Sequence, residues 1–126
     1  NGQNRRHYLS AWDFAEALDL LVRYGEEGHY YNIGTTEEYT NSQMAEMIAG
    51  QFGLTVAETV TFVPDRPFND FRYAVDWSAI AALRWVPRRS LIDELPAMAQ
   101  WYAENLNRYE PESIAVRKPL PRAHKE

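Results

Sequence analysis

The sequence predicts a mixed α/β unit that forms one part of a larger fold. Three observations lead there. Helical apolar spacing recurs in separated segments, short β-patterned pieces bounded by Gly or Pro stand between them, and those pieces are too few to close a sheet on their own. The predicted order is α, β, α, β, β, α, α.

Each element has a local cause. In "WDFAEALDLLVRYG", Phe14, Leu18, Leu21 and Val22 fall on one helical face, with Asp13 as the expected N-cap and Gly25 as the stop. "HYYNIG" reads as a strand closed by Gly34. "TNSQMAEMIAGQFG" resumes helical spacing through Met44, Met47 and Ile48, capped by Thr40 or Asn41 and ended by Gly53. "VTFV", ending at Pro64, and "RYAV" after the next loop are short strands. Asp76 is expected to cap a short helix, "WSAIAAL", and Pro87 then breaks the chain. The last helix carries Leu95, Met98, Ala99, Tyr102 and Leu106 on one stripe. A cap at Asp93 places Pro96 in the first turn, where a missing N–H costs little, whereas a cap at Ser90 buries it inside the helix; Asp93 is therefore expected. The stretch after Arg108 holds three of the seven prolines and little apolar periodicity. It reads as an extended or disordered tail over 109–126, behind a folded region of residues 1–108.

Composition narrows the function. A chain of 126 residues that is 45% hydrophobic and 13% aromatic has the material for a core. Its net charge of −5 argues against a nucleic-acid binder, and no apolar run approaches the ~20 residues of a membrane span. Without cysteine there is no disulfide, no thiolate ligand and no thiol nucleophile. The chain starts at Asn1, and "NGQNRRHYLS" has no signal-like apolar centre, which suggests a fragment or trimmed chain. Both lysines, Lys118 and Lys125, lie in the tail, so the body carries its positive charge on arginine alone.

The negative results are clean. The six glycines, at 2, 25, 28, 34, 50 and 53, form no dinucleotide or phosphate-loop fingerprint. No tyrosine has a lysine four positions on, His7, His29 and His124 are too scattered for a metal site, and no nucleophile–base pair is evident. What stands out is arginine on constrained backbone. "RRH" at 5–7 precedes a strand-like "YLS", and Arg66 lies between Asp65 and Pro67. A guanidinium there suits a phosphate, because its planar fork gives two parallel hydrogen bonds and stays charged. Equally, Arg66 could pair with Asp65 or Asp70 as a structural bridge. Asn41 could cap its helix, or its amide and the helix N–H groups could face an anionic ligand. Trp77, Trp85 and Trp101 read as core.

Taken together, "RRHYLSAWDFAEAL", "GHYYNIGTTEEYTN", "VPDRPFNDFRYAVD", "LRWVP" and "AQWYAENL" resemble the C-terminal portion of the nucleoside-diphosphate-glucose 4,6-dehydratases. These are extended short-chain dehydrogenases/reductases with an NAD(P)-binding Rossmann-like fold. The resemblance covers residues 2 to 108 and implies a mixed α/β substrate-binding region with the cofactor-binding half absent. By the same resemblance Arg6 contacts the nucleotide diphosphate, Asn41 lines the nucleotide site, and Asp65 and Arg66 join the same pocket. Asn69 stands where bacterial thymidine-diphosphate enzymes tend to have His, and the "RPFND" form looks more like the plant and other eukaryotic rhamnose-pathway enzymes. The departures are Ser10 for an aromatic, Trp12 for an acid, and "LRW" for the common Leu-Gly-Trp.

For the parent protein the resemblance further implies a cytoplasmic, homodimeric lyase with NAD bound by the missing N-terminal Rossmann portion, acting on dTDP- or UDP-glucose. For residues 1–126 alone it implies no catalytic residue, no cofactor, no metal and no turnover. The rival readings are a nucleotide-sugar epimerase or decarboxylase with a similar clamp, and a non-catalytic nucleotide-sugar-binding or interaction module.

Overall fold

The computed structural model describes residues 2–65 and 67–109. The tail expected from 109 onward thus lies outside the described residues, Tyr109 excepted. The first strand, β1 (Arg5–His7), covers "RRH" itself rather than the "YLS" that follows. Ser10 then opens α1 (Ala11–Tyr24), its side-chain oxygen accepting the Trp12 N–H at 3.2 Å. Asp13, expected as the cap, is therefore the third helical residue and points inward, fully buried. Its carboxylate accepts the backbone N–H groups of Arg88 and Arg89, each at 2.9 Å, and the Arg89 guanidinium at 2.6 Å. This locks the approach to the last helix onto α1.

The face that α1 buries also differs from expectation. Ala17 is buried and Leu20 and Leu21 pack beside it, whereas Phe14, Leu18 and Val22 stay exposed. The core is small: Ala17, Ile80 and Trp85, flanked by Leu9, Leu20, Leu21, Tyr31, Ile33 and Trp77. Trp77 meets Trp85 edge to face at 5.9 Å and 88°, a favoured aromatic geometry. Trp77 and Trp85 are core as expected, while Trp101 is 42% exposed.

"HYYNIG" forms no strand. A strand exists through its pairing, and among the described residues the backbone of Tyr30–Gly34 faces no neighbouring strand. "VTFV" and "RYAV" are likewise not strands; a single parallel bridge between Arg5 and Arg72 is all that the second contributes. The pairing that does form joins β1 to β2 (Glu38–Thr40), antiparallel, with Arg5 opposite Thr40, Arg6 opposite Tyr39 and His7 opposite Glu38. Gly34 brings the following segment close: a Cβ there would stand 2.8 Å from Val75 Cγ2 and 3.1 Å from Trp77 Cδ1.

Thr40 caps α2 (Asn41–Gln51) in a reciprocal box with Gln43, and Gly53 ends it with φ +67°. A one-turn helix, α3 (Val56–Thr59), follows on a second such box, Thr55 with Glu58. Asp76 accepts the Ser78 N–H at 2.9 Å and so starts α4 (Ser78–Ala82), as expected. Arg84 then adopts φ +67°, a left-handed conformation that glycine takes without strain and arginine does not. The last helix, α5 (Leu91–Asn105), is capped by Ser90, whose Oγ accepts the Asp93 N–H at 3.3 Å, and packs on α2 before a 3₁₀ turn at Leu106–Arg108. Asp93 is thus not the cap, because Glu37 and Ser90 together take the N–H groups that open the helix, Glu37 accepting from Leu91 at 2.7 Å. Pro96 sits inside it. On its apolar stripe Leu95 is buried, while Met98, Tyr102 and Leu106 are exposed.

Candidate functional site

Strand β1 is the spine of the site, because three successive residues reach from it to the loop that precedes Tyr73. Asn4, buried, donates its side-chain amide to the Asp70 carbonyl at 3.3 Å. The Arg5 backbone N–H donates to the Phe71 carbonyl at 2.7 Å. The Arg6 guanidinium then covers the same turn, donating to the Asp70 carbonyl at 3.0 Å and, at longer range, to Phe71 O at 3.4 Å and Asn69 Oδ1 at 3.5 Å. It also donates to its neighbour Arg5 O at 2.6 Å, and its carbon lies 4.6 Å from the centre of the Tyr73 ring, a cation–π arrangement. Asn69 in turn donates to Asp65 Oδ1 at 2.8 Å. Tyr73 closes the turn with a short hydrogen bond to Asp70.

Of the residues singled out in the sequence, the structure therefore joins Arg6, Asn69 and Asp65 in one chain of contacts. Arg66 lies outside the described residues. Asn41 is on the same ribbon, two positions past the partner of Arg6, and its backbone N–H donates to Asn4 O at 3.0 Å. Its side chain is exposed at the first position of α2, and Thr40 is the cap.

One expectation for α2 changes. Its opening N–H groups are not open to an anion: Asn41 N–H goes to Asn4 O, Ser42 N–H to Gly2 O at 2.9 Å, and Gln43 N–H to the Thr40 hydroxyl at 3.1 Å. Any ligand contact from this corner has to come from the Asn41 amide.

A group that the motifs did not point to is Glu38. Its side chain, 14% exposed, receives Arg5 Nη1 at 3.4 Å and Arg72 Nε in a short hydrogen bond, and its Oε1 lies 3.2 Å from His7 Nε2. That last approach lacks hydrogen-bond alignment and is an ion pair only when the imidazole is protonated. His7 Nδ1 is 2.7 Å from the Thr35 carbonyl, which can only accept, so Nδ1 carries a proton. The Arg72 hydrogen bond, opposed by burial and aided by the charge of Arg72, a hydrogen bond from Arg5 and the nearby His7, holds the Glu38 carboxyl below its ordinary value. In the sequence Glu38 is the second of two adjacent acids in "TTEEYTN"; only the strand register and the Arg5–Arg72 bridge reveal the cations around it.

Arg6, His7, Leu9, Ile33, Gly34, Thr35, Tyr73 and Val75 line a shallow hollow of about 230 Å³ beside this corner. Its lining combines a guanidinium and an imidazole with an apolar floor. Among the described residues no cluster of His, Asp or Glu could hold a metal, and no helix is long and apolar enough to cross a membrane.

Comparison with known proteins places this arrangement. No protein-family model matches the chain. A trifunctional UDP-glucose 4,6-dehydratase/UDP-4-keto-6-deoxy-D-glucose 3,5-epimerase/UDP-4-keto-L-rhamnose-reductase of Arabidopsis thaliana is 39% identical over 105 residues, 83% of this chain and 16% of that protein. The dTDP-glucose 4,6-dehydratase of Streptomyces niveus is 38% identical over 111 residues, 87% of this chain and 33% of that protein. In three dimensions, the dTDP-glucose 4,6-dehydratase of Streptomyces venezuelae with NAD and TYD bound superposes with a TM-score of 0.82 at 30% identity, over 88% of this chain and 34% of that one.

The fold is accordingly the mixed α/β part of an extended short-chain dehydrogenase/reductase. The chain belongs to the nucleoside-diphosphate-glucose 4,6-dehydratase family, and it spans about a third or less of the length of the relatives above.

Proposed function

We propose that this chain is the nucleotide-sugar-binding portion of an NAD-dependent glucose 4,6-dehydratase, a lyase that forms a 4-keto-6-deoxy sugar nucleotide in deoxysugar (rhamnose-type) biosynthesis. The observation that carries the proposal is the Arg6 guanidinium, held by the 69–73 turn and linked through Asn69 to Asp65, in a chain whose relatives are 4,6-dehydratases. Its two longest contacts, at 3.4 and 3.5 Å, are weak enough to be exchanged for phosphate oxygens, while the 3.0 Å bond keeps the side chain in place. Arg66, next to Asp65 in the sequence, supplies the second fork to the diphosphate. The Asn41 amide meets the nucleoside.

The residues present do not fit a nicotinamide cofactor. The glycines lack a dinucleotide fingerprint, and the opening N–H groups of α2 and α5 are already taken by Asn4, Gly2, Thr40, Glu37 and Ser90. NAD therefore belongs to the remainder of the parent protein, which also supplies the acid–base residues; this chain binds and orients and does not turn over substrate.

Calorimetric titration of the chain with UDP and with dTDP tests the proposal. Saturable binding of at least one is expected, weakened roughly tenfold to a hundredfold by Arg6→Ala or Arg66→Ala, since charge-assisted phosphate bonds are worth ~1.5–3 kcal/mol each. Arg66→Lys should restore only part, because a point charge does not reproduce the fork. Asn41→Ala should cost less than either. No saturable binding of either nucleotide at millimolar concentration would overturn it, as would unchanged affinity in folded Arg6→Ala.

A further inference from the structure

We propose that Glu38 is the positioning residue of the Arg6 clamp: its carboxylate ties Arg5 and Arg72 together and so fixes the turn that aims the Arg6 guanidinium. The inference rests on the clamp reading above and adds to it a residue that never touches the ligand.

The geometry runs as a short chain of contacts. Arg5 is on β1 and Arg72 closes the turn, and the two form the parallel bridge that joins turn to strand. Glu38, on β2, receives a guanidinium nitrogen from each. Immediately before Arg72 stand Phe71 and Asp70, whose carbonyl oxygens accept the Arg6 guanidinium. A shift of Arg72 therefore moves those acceptors and, with them, the direction in which Arg6 presents its remaining donors. Arg5 and Arg72 are each about half exposed, at 49% and 54%, and gain their fixed geometry from the one sheltered acid between them. The remaining titratable neighbour is His7, opposite Glu38 in the strand register, whose Nδ1 is held by Thr35.

The sign of the effect separates positioning from plain electrostatics. A carboxylate near an anion site repels the anion, so if charge alone mattered, neutralising Glu38 would tighten diphosphate binding. A positioning role requires the reverse. Glutamine has nearly the same shape and can still accept, so Glu38→Gln removes mainly the charge that holds two guanidinium groups.

The test measures UDP and dTDP affinity at one salt concentration for the unsubstituted chain, Glu38→Gln, Arg72→Gln and the double variant, with thermal melts to define the folded fraction. Glu38→Gln should weaken binding by roughly threefold to tenfold, and the double variant should be no weaker than the poorer single one, because the residues act as a unit. Equal or tighter binding by folded Glu38→Gln overturns the inference while leaving the clamp intact. If the unsubstituted chain does not bind, the clamp reading itself has failed. A measurement free of ligand reads the positioning directly: ¹⁵N relaxation of the Arg6 Nε–H group should show lost order in Glu38→Gln and in Arg72→Gln. Undiminished order in both would overturn the inference even where a variant binds too weakly to titrate.

Discussion

Asp13 holds a charge with none of its surface exposed, and its neighbours explain how. Burial pushes its carboxyl up, but the Arg89 and Arg88 backbone N–H groups and the Arg89 guanidinium together hold it below its ordinary value of 3.8. Removing the carboxylate strands two backbone donors and takes one of the acid partners of Arg89, which keeps Glu16 at 2.9 Å. Asp13→Ala should therefore cost about 3–5 kcal/mol, read from urea unfolding. Arg89→Ala should cost less, because its side chain is 35% exposed and the two backbone bonds to Asp13 survive. The pH dependence follows from the sign. A folded value below the unfolded one means that the contribution is complete above about pH 4 and is lost as pH falls through the depressed folded value. Glu38, also lowered, adds to the same acid limb. A melting temperature that stays flat below pH 4 in the parent chain, or drops equally in Asp13→Asn, would contradict this. Asp13 reads in the sequence as a cap, since Asp before an apolar-periodic run normally is one. Ser10 takes that role three residues earlier, and nothing local announces that Arg88 and Arg89, 75 positions away, are waiting for the acid.

At the scale of elements, the longer helices were legible, while the one-turn α3 and the strands were not. The spacing in α1, α2 and α5 appears within the segments themselves, and so do the boxes at Thr40–Gln43 and Thr55–Glu58. Strands depend on partners: "HYYNIG" has the right residues and no described neighbour, while β2 has unremarkable residues and is a strand because β1 lies beside it. The residues of the proposed clamp stand out locally, in the Asp-Arg-Pro segment and at Arg6, and their role was implied only by the family resemblance, whereas Glu38 needed the register. The cap of α5 was misplaced by the proline argument. With Ser90 as the cap, Pro96 is the sixth helical residue, so the Ile92 carbonyl has no N–H to accept from and the ring crowds it. Pro96→Ala should restore that bond. The helix gains up to ~3 kcal/mol by propensity, and the unfolded chain regains ~0.4–1 kcal/mol of freedom, leaving a net stabilisation of up to about 2–2.6 kcal/mol. The midpoint of urea unfolding should rise at unchanged slope. A lower midpoint would mean that the fit of α5 against α2 depends on the bend.

For the whole molecule, the arrangement of apolar residues on α1 is the informative feature. A helix on the surface of a finished domain buries one stripe. This one buries Ala17, Leu20 and Leu21 and leaves a second stripe, Phe14, Leu18 and Val22, open at four-residue spacing, with Val22 87% exposed. Phe62, Val63, Phe71 and Val75 are exposed as well, as are Met98 and Tyr102 on α5. A polypeptide carrying the rest of the family's length would have material to cover these faces; among the described residues nothing does, and another copy of the chain can. Exposed apolar patches above a few hundred Å² favour self-association. The chain should therefore sediment as a concentration-dependent mixture and bind a hydrophobic dye in its folded state. Leu18→Gln with Val22→Gln changes no charge and keeps good helix formers, so it isolates the apolar term. This double variant should move the distribution toward monomer and lower dye uptake without lowering the melting temperature, since neither side chain is in the core. A strictly monomeric profile at high concentration with no dye binding would refute the argument. Unchanged association in the variant would place the sticky surface on the 62–75 segment or α5 instead of α1.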